Sequence, residues 1–175
     1  DPLALLSAEW FAAHFGVDVL VMIRHPAAFA GSLKKKGWTF SFENLLQQPQ
    51  LLTDHFSAYR EEIEEYANGD YDIVDQAAFL WKLLYTVVAE YEESHPEWVY
   101  LRHEDTARPP VQTFRSLYDR YGLEFTENIQ TKVKEYSNPS PDQQSTESIR
   151  RDSQSVIKNW TRRLTENEIA RVRRR

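Results

Sequence analysis

The sequence predicts an α/β fold that is mostly helical and contains a short parallel sheet. Two short runs of aliphatic and aromatic residues, 17–23 and 98–102, each follow a segment whose apolar residues recur at helical spacing. Glycine occurs only five times in 175 residues, which is low for an all-β chain, while 13% aromatic residues supply enough bulk for a core. The length fits a single domain spanning residues 1–175.

Capping and breaking residues set the expected boundaries of the elements. Gly16 is suited to end the first helix, Pro26 to open the second, and Thr165 with Glu168 forms a capping box for the last. Run 17–23 is apolar almost without interruption, the pattern of a strand covered on both faces. The expected elements are helix 3–14, strand 17–23, helix 26–36, two amphipathic segments across 42–66 separated by Pro49, helix 73–93, strand 98–102, helices 111–121 and 126–136, a loop from 137 to 148, and a helix after Thr165.

Composition excludes several classes of protein. The chain has no cysteine, so disulfides, thiolate metal ligands and a cysteine nucleophile are excluded. No apolar run approaches the roughly 20 residues of a membrane span, so we expect a soluble, cytoplasmic protein. The first residues, Asp1-Pro2-Leu3, carry neither an initiator methionine nor a signal-peptide pattern. We therefore expect a fragment of a longer chain.

Charge is distributed unevenly along the sequence. Residues 150–175 hold 9 of the 21 lysines and arginines but only 3 of the 27 acidic residues. The preceding 149 residues are strongly acidic, which argues against a nucleic-acid partner because such a surface needs a broad basic face. A local anion site near the basic end remains compatible with this distribution.

Arg24 stands at the carboxyl end of the first predicted strand, where ligands gather in open α/β sheets. A guanidinium offers a planar fork to phosphate oxygens, and the hydroxyl of Ser32 on the following helix adds a donor. The alternative is an arginine paired with a neighbouring carboxylate and a serine used as a small packing residue. Residue types alone favour that alternative.

The complete segment 19–33, Val-Leu-Val-Met-Ile-Arg-His-Pro-Ala-Ala-Phe-Ala-Gly-Ser-Leu, resembles the 3′-phosphate-binding segment of the sulfotransferase family, bacterial type. In that segment an apolar strand ends in arginine, proline follows two residues later, and serine follows eight residues after the arginine. The resemblance implies that Arg24 and Ser32 bind the 3′-phosphate of 3′-phosphoadenosine 5′-phosphosulfate, the sulfuryl donor. It also implies a P-loop-like sulfotransferase fold.

Two further segments resemble the family in the same order along the chain. Residues 98–105, ending in His-Glu-Asp, resemble its second core strand with a terminal Glu-Asp pair. The stretch from Arg150-Arg151 to Trp160 and Thr165 resembles the carboxy-terminal loop that closes on the nucleotide. The resemblance implies that Arg150 or Arg151 reaches the phosphate, and it leaves open which of the two does so.

The family's phosphate loop for the 5′-phosphosulfate has no counterpart in these residues. No glycine-rich loop occurs in the chain, so the sulfuryl group would lack the charge stabilisation that transfer needs, and we expect the fragment alone to be inactive. The catalytic base is not assigned: His25 and His103 stand at strand ends where a cleft is expected, but a surface or capping role is favoured for each. No metal-ligand spacing is present, so no metal cofactor is expected.

The function expected from the resemblance is transfer of a sulfuryl group from 3′-phosphoadenosine 5′-phosphosulfate (PAPS) to a hydroxyl or amine acceptor. The acceptor is a small molecule, a lipid, a sugar or a protein, and the sequence does not choose among them. Two alternatives belong to other classes: a non-catalytic nucleotide- or polyanion-binding module, and a helical interaction domain that uses the acidic face Glu61–Glu65. Self-association is a further expectation, because the sheet would be incomplete.

Overall fold

The computed structural model describes residues 4–137 and 157–175, and its longest element is a 22-residue helix, Ile73–Ser94. Asp72 caps this helix, because its carboxylate accepts the backbone N–H groups of Val74 and Asp75 at 2.8 and 3.0 Å. The long core helix expected from the spacing of apolar residues is confirmed. The helices, numbered in chain order, are α1 (Ala8–Phe15), α2 (Pro26–Lys36), α3 (Glu43–Leu46), α4 (Pro49–Asp54), α5 (Arg60–Asn68), α6 (Ile73–Ser94), α7 (His103–Thr106), α8 (Pro110–Arg120), α9 (Glu127–Ser137) and α10 (Glu166–Arg174).

The sheet consists of two parallel strands, β1 (Leu20–Ile23) and β2 (Val99–Arg102). Their register places Leu20 opposite Val99 and Ile23 opposite Arg102. A parallel pair needs a long crossover, which here runs through α2 to α6. The predicted mixed α/β class, mostly helical with a short parallel sheet, is therefore observed.

One face of β1 is not covered by the described part of the chain. Val21 is buried, but Leu20 and Met22, which point to the opposite face, are 37% and 46% exposed. The prediction of a strand covered on both faces is therefore wrong for this face, and the strand begins at Leu20 rather than at Val17. A continuous apolar run shows that both faces of a strand can be buried. Whether a face is buried depends on whether another element packs against it.

The free edge of β1 leads to an expectation about association. No strand of the described residues pairs with the second edge of β1, and the apolar side chains of Leu20 and Met22 lie beside it. Unpaired backbone groups next to exposed aliphatic side chains favour pairing with another chain. We expect the sedimentation coefficient to rise with concentration, and Met22→Lys to suppress the rise. A monomer at every concentration would contradict this.

The main core lies between α6 and the short helices of residues 43–68. Phe79 is fully buried and stacks on Phe42, with ring centroids 5.3 Å apart. Where two amphipathic segments were expected across 42–66, the chain forms α3, α4, a 3₁₀ turn and α5. Each of these elements is too short to produce its own recognisable helical repeat of apolar residues. No helix of residues 4–137 or 157–175 is long and apolar enough to cross a membrane.

The carboxy-terminal helix α10 is held by both apolar and ionic contacts. Leu164 and Val172 are buried against the alanines of α2 and the first turns of α6. Thr165 and Glu168 form the predicted capping box. Glu168 also lies 2.7 Å from the ammonium of Lys34, and Arg171 pairs with Asp72 and Asp75. The basic end of the chain is therefore partly neutralised by contacts within the fold.

The ion pair of Glu168 predicts a dependence of stability on pH. Burial acts to raise the pKa of Glu168, but hydrogen bonds from Lys34 and Thr165 outweigh burial and lower the pKa below its ordinary value of 4.5. A carboxyl whose pKa is lowered by folding stabilises the fold above that ordinary value, and this contribution is lost as pH falls through the lowered pKa.

Glu168→Gln keeps the capping box but removes the charge. We expect it to reduce the free energy of unfolding by about 0.5–1 kcal/mol at pH 6, and by progressively less as pH falls below about 4. Urea titrations of both proteins at several pH values measure the difference. A difference that is the same at pH 6 and pH 3 would show that the ion pair contributes nothing.

Candidate anion-binding site

The carboxyl ends of both strands meet at one edge of the sheet. Arg24 directly follows β1 and His103 directly follows β2, and the parallel register sets them side by side. The backbone N–H of His25 donates to Glu104 Oε1 at 3.2 Å, which joins the two strand ends directly. This is the position where α/β sheets bind ligands.

The peptide groups of Arg24 are held from both sides by α6. Its backbone N–H donates to the Tyr85 hydroxyl at 2.5 Å, and its carbonyl accepts the indole N–H of Trp81 at 2.8 Å. Trp81 and Tyr85 lie one helical turn apart and stack, with ring centroids 4.1 Å apart. This arrangement, called here the Arg24 clamp, fixes the backbone from which the guanidinium extends.

The side chain of His25 has a structural role that combines two contacts. Its ring Nδ1 accepts the N–H of Ala27 at 3.2 Å, so the side chain caps the first turn of α2. The ring also stacks on Trp160, with centroids 5.1 Å apart and planes within 9°. The capping role favoured from the sequence is confirmed, and the stack shows that the carboxy-terminal segment reaches the site.

His103 lies in the electrostatic field of Arg24. Burial lowers the pKa of His103, and the Arg24 guanidinium lowers it further, whereas Glu104 acts in the opposite direction. The imidazole is therefore neutral at neutral pH. A dianion bound at Arg24 would favour its protonated form, so His103 could add a second positive charge on binding.

Helix α2 and the carboxy-terminal segment approach each other closely at Gly31. A Cβ at Gly31 would lie 3.3 Å from Trp160 Cβ and 3.6 Å from Arg163 Cβ. Only glycine therefore permits this packing without displacement. The 3₁₀ turn Asn159–Arg162 and the half-buried Arg163 are thereby set beside the helix that starts at the candidate site.

Ser32 is half-buried on α2, seven residues after His25. Seven residues are about two turns, so the two positions share one face of the helix, roughly 10 Å apart along its axis. Arg150, Arg151 and the loop expected across 137–148, apart from Ser137, lie outside the described residues. The structure therefore brings together Arg24, His25, His103 and Glu104, with Ser32 further along α2.

The remaining histidines have the structural roles expected for them. His14 Nδ1 lies 2.9 Å from the carbonyl of Trp10, His55 pairs with Glu90, and His95 contacts Glu9 and Glu97. The described residues contain no group of three histidine, aspartate or glutamate side chains that could hold a metal ion.

The sequence interpretation missed Trp81, Tyr85 and the role of Gly31. The apolar period predicted for helix 73–93 includes Trp81, whose spacing fits an ordinary core, and it does not include Tyr85. A weak signal was present, since both side chains carry a polar group that needs a partner when it is buried. Comparison with known proteins adds no relative: no family model, no curated protein and no solved structure matches the chain.

Proposed function

We propose that this chain is the nucleotide-binding part of a sulfotransferase that transfers a sulfuryl group from PAPS to a hydroxyl or amine. The parallel pairing of β1 and β2 carries the proposal, because it sets Arg24 beside His103 and Glu104 at one sheet edge. These residues belong to two of the three segments that resemble the family. The proposal includes a P-loop-like fold whose phosphate loop is not among these 175 residues.

In this proposal the protein positions the donor and neutralises charge. Arg24 holds the 3′-phosphate with two parallel N–H groups, Ser32 adds a hydroxyl donor, and Arg150 or Arg151 adds a second cation. The acceptor oxygen or nitrogen attacks sulfur in line as the bond from sulfur to the bridging phosphate oxygen breaks. 3′-Phosphoadenosine 5′-phosphate leaves, and the proton of the acceptor passes to a base that we do not assign.

A second candidate function is a module that binds the nucleotide without transferring sulfate. The positions of the glycines favour this function over transfer for these 175 residues alone. Gly16, Gly37 and Gly122 have positive φ angles at helix ends, Gly31 packs against Trp160, and Gly69 ends α5. All five glycines thus have structural positions, and none belongs to a phosphate loop. We therefore propose that residues 1–175 bind the nucleotide, and that sulfuryl transfer needs a phosphate loop that these 175 residues do not supply.

Calorimetric titration with three nucleotides tests the proposal. 3′-Phosphoadenosine 5′-phosphate is expected to bind, whereas AMP and adenosine 5′-phosphosulfate, which lack the 3′-phosphate, should bind at least tenfold more weakly. Equal affinity for all three would contradict a 3′-phosphate site at Arg24. Sulfate incorporation from PAPS, compared with and without an added phosphate-loop segment, separates the enzyme from the binding module.

The Arg24 clamp gives a prediction about positioning. Tyr85→Phe removes the acceptor of the Arg24 N–H, and Trp81→Phe removes the donor to its carbonyl, while both keep an aromatic ring. We expect each change to weaken binding of 3′-phosphoadenosine 5′-phosphate about three- to tenfold, because a half-buried peptide group loses its partner and the guanidinium is less well oriented.

Tyr59→Phe is the matched control for this prediction. Tyr59 is a half-buried tyrosine whose hydroxyl accepts a hydrogen bond from Thr86. Calorimetry on the three variants measures the affinities, and urea titration measures stability. If Tyr85→Phe and Tyr59→Phe bind the nucleotide equally well, the clamp has no role in orienting Arg24.

A further inference from the structure

A cavity of about 470 Å³ lies between α6 and the sheet, next to the candidate anion site. Trp81, Tyr85 and Val88 line it on the helix side, and Ile23 and Tyr100 on the sheet side. Its volume lies within the roughly 300–1,000 Å³ that is usual for small-molecule pockets. The nucleotide proposal does not use this cavity.

The aromatic wall of the cavity is rigid. The indole N–H and the phenol hydroxyl of the stacked Trp81–Tyr85 pair are both bonded to the backbone of Arg24. The two rings are therefore fixed at their polar ends, and both remain half-exposed. Fixed aromatic rings beside a cavity offer a flat apolar surface and the negative face of a π-system.

Carboxylates outnumber cations in the lining. Glu92 and Asp105 lie at the cavity, against one cation, Arg102. Burial raises the pKa of Tyr100, and Glu92 raises it further. Burial and Glu104 raise the pKa of Tyr85, whereas its hydrogen bonds and the positive charge of Arg24 act to lower it. The lining thus carries one more carboxylate than cations, and the negative charge of Glu92 acts on Tyr100 within it.

We propose that this cavity is a binding site for an organic cation, an ammonium group carried on a planar or apolar body. The body would lie against Trp81 and Tyr85, and the ammonium would face Glu92 or Asp105. Cation–π attraction and the carboxylates favour the same sign of ligand charge. The site stands independently of the sulfotransferase proposal.

Four probes that share a phenyl ring on a short aliphatic chain separate the contribution of charge. They are 2-phenylethylammonium, the neutral 3-phenylpropan-1-ol, the anion 3-phenylpropanoate, and zwitterionic phenylalanine, each titrated by ligand-observed NMR. We expect the ammonium to bind about tenfold more tightly than the alcohol, a difference of about 1.4 kcal/mol in binding free energy. The anion is expected not to bind. Tighter binding of phenylalanine or of the alcohol would overturn the proposal.

Four substitutions test whether the ammonium binds in this cavity and whether its binding is independent of nucleotide binding. Glu92→Gln is expected to weaken binding of the ammonium about fivefold, whereas Glu61→Gln, which removes an exposed carboxylate on α5 outside the cavity, should leave it unchanged. Ala89→Phe should fill the cavity and abolish binding of the ammonium.

Arg24→Ala should still bind the ammonium but lose binding of the nucleotide, so failure of one proposal is distinguishable from failure of the other. Equal binding by wild type and Ala89→Phe would show that the probe binds elsewhere.

Discussion

Replacing Arg24 with alanine is expected to weaken binding of 3′-phosphoadenosine 5′-phosphate about thirtyfold while the fold is retained. The change removes a guanidinium that forms charge-assisted hydrogen bonds with a phosphate, which costs on the order of 2 kcal/mol of binding free energy. Arg24 is a half-buried side chain, but the clamp contacts of its backbone survive the substitution. Loss of binding should therefore exceed loss of stability.

Arg24→Lys and Arg60→Ala complete the test of this prediction. Lysine keeps the charge without the planar fork, so it should restore only part of the affinity. Arg60 is an exposed arginine on α5, and its removal should leave binding unchanged. Calorimetry gives the affinities and urea titration the stabilities. Unchanged nucleotide affinity in Arg24→Ala would rule out Arg24 as the phosphate ligand.

The elements with local signals were predictable from the sequence. Gly37 takes a left-handed φ of 64° after α2, Pro26 occupies the first turn of that helix, and Thr165 with Glu168 forms the capping box. Each of these signals acts within a few residues, so it can be recognised without knowledge of tertiary structure. The same holds for the long apolar period of α6.

Contacts between distant residues could not be predicted in the same way. Trp81 and Tyr85 are 57 and 61 residues away from Arg24 in the sequence, and Trp160 is 129 residues away from Gly31. Nothing in the local spacing of α6 distinguishes a side chain that fills the core from one that holds a peptide group. The resemblance indicated Arg24 as a candidate ligand, but only tertiary structure shows what holds it.

Gly31→Val is expected to lower the free energy of unfolding by about 2–3 kcal/mol and to loosen the carboxy-terminal segment. The Cβ alone would lie 3.3 Å from Trp160 Cβ and 3.5 Å from Trp160 Cα, and valine adds two further methyl groups. A Cα and a Cβ cannot rotate away as the end of a flexible side chain can, so the whole turn Asn159–Arg162 has to shift. Removing a glycine from a helix normally stabilises it, which makes a net loss informative.

Displacement of this turn should also affect the anion site. Trp160 stacks on His25, which caps α2 and donates its N–H to Glu104, so a shift of Trp160 removes support from one side of the strand ends. We therefore expect Gly31→Val to weaken nucleotide binding as well as stability. Hydrogen exchange of residues 159–174 should become faster than in wild type.

Lys35→Val separates the clash from the effect of placing a β-branched residue in α2. Lys35 is exposed on the same helix, so valine there changes helix propensity without meeting another element. We expect Lys35→Val to lower the free energy of unfolding by about 0.5 kcal/mol and to leave hydrogen exchange of residues 159–174 as it is in wild type. Of the two variants, only Gly31→Val places a side chain against the carboxy-terminal turn. Equal stability and equal exchange in Gly31→Val and Lys35→Val would mean that this close approach does not hold the carboxy-terminal segment against the site.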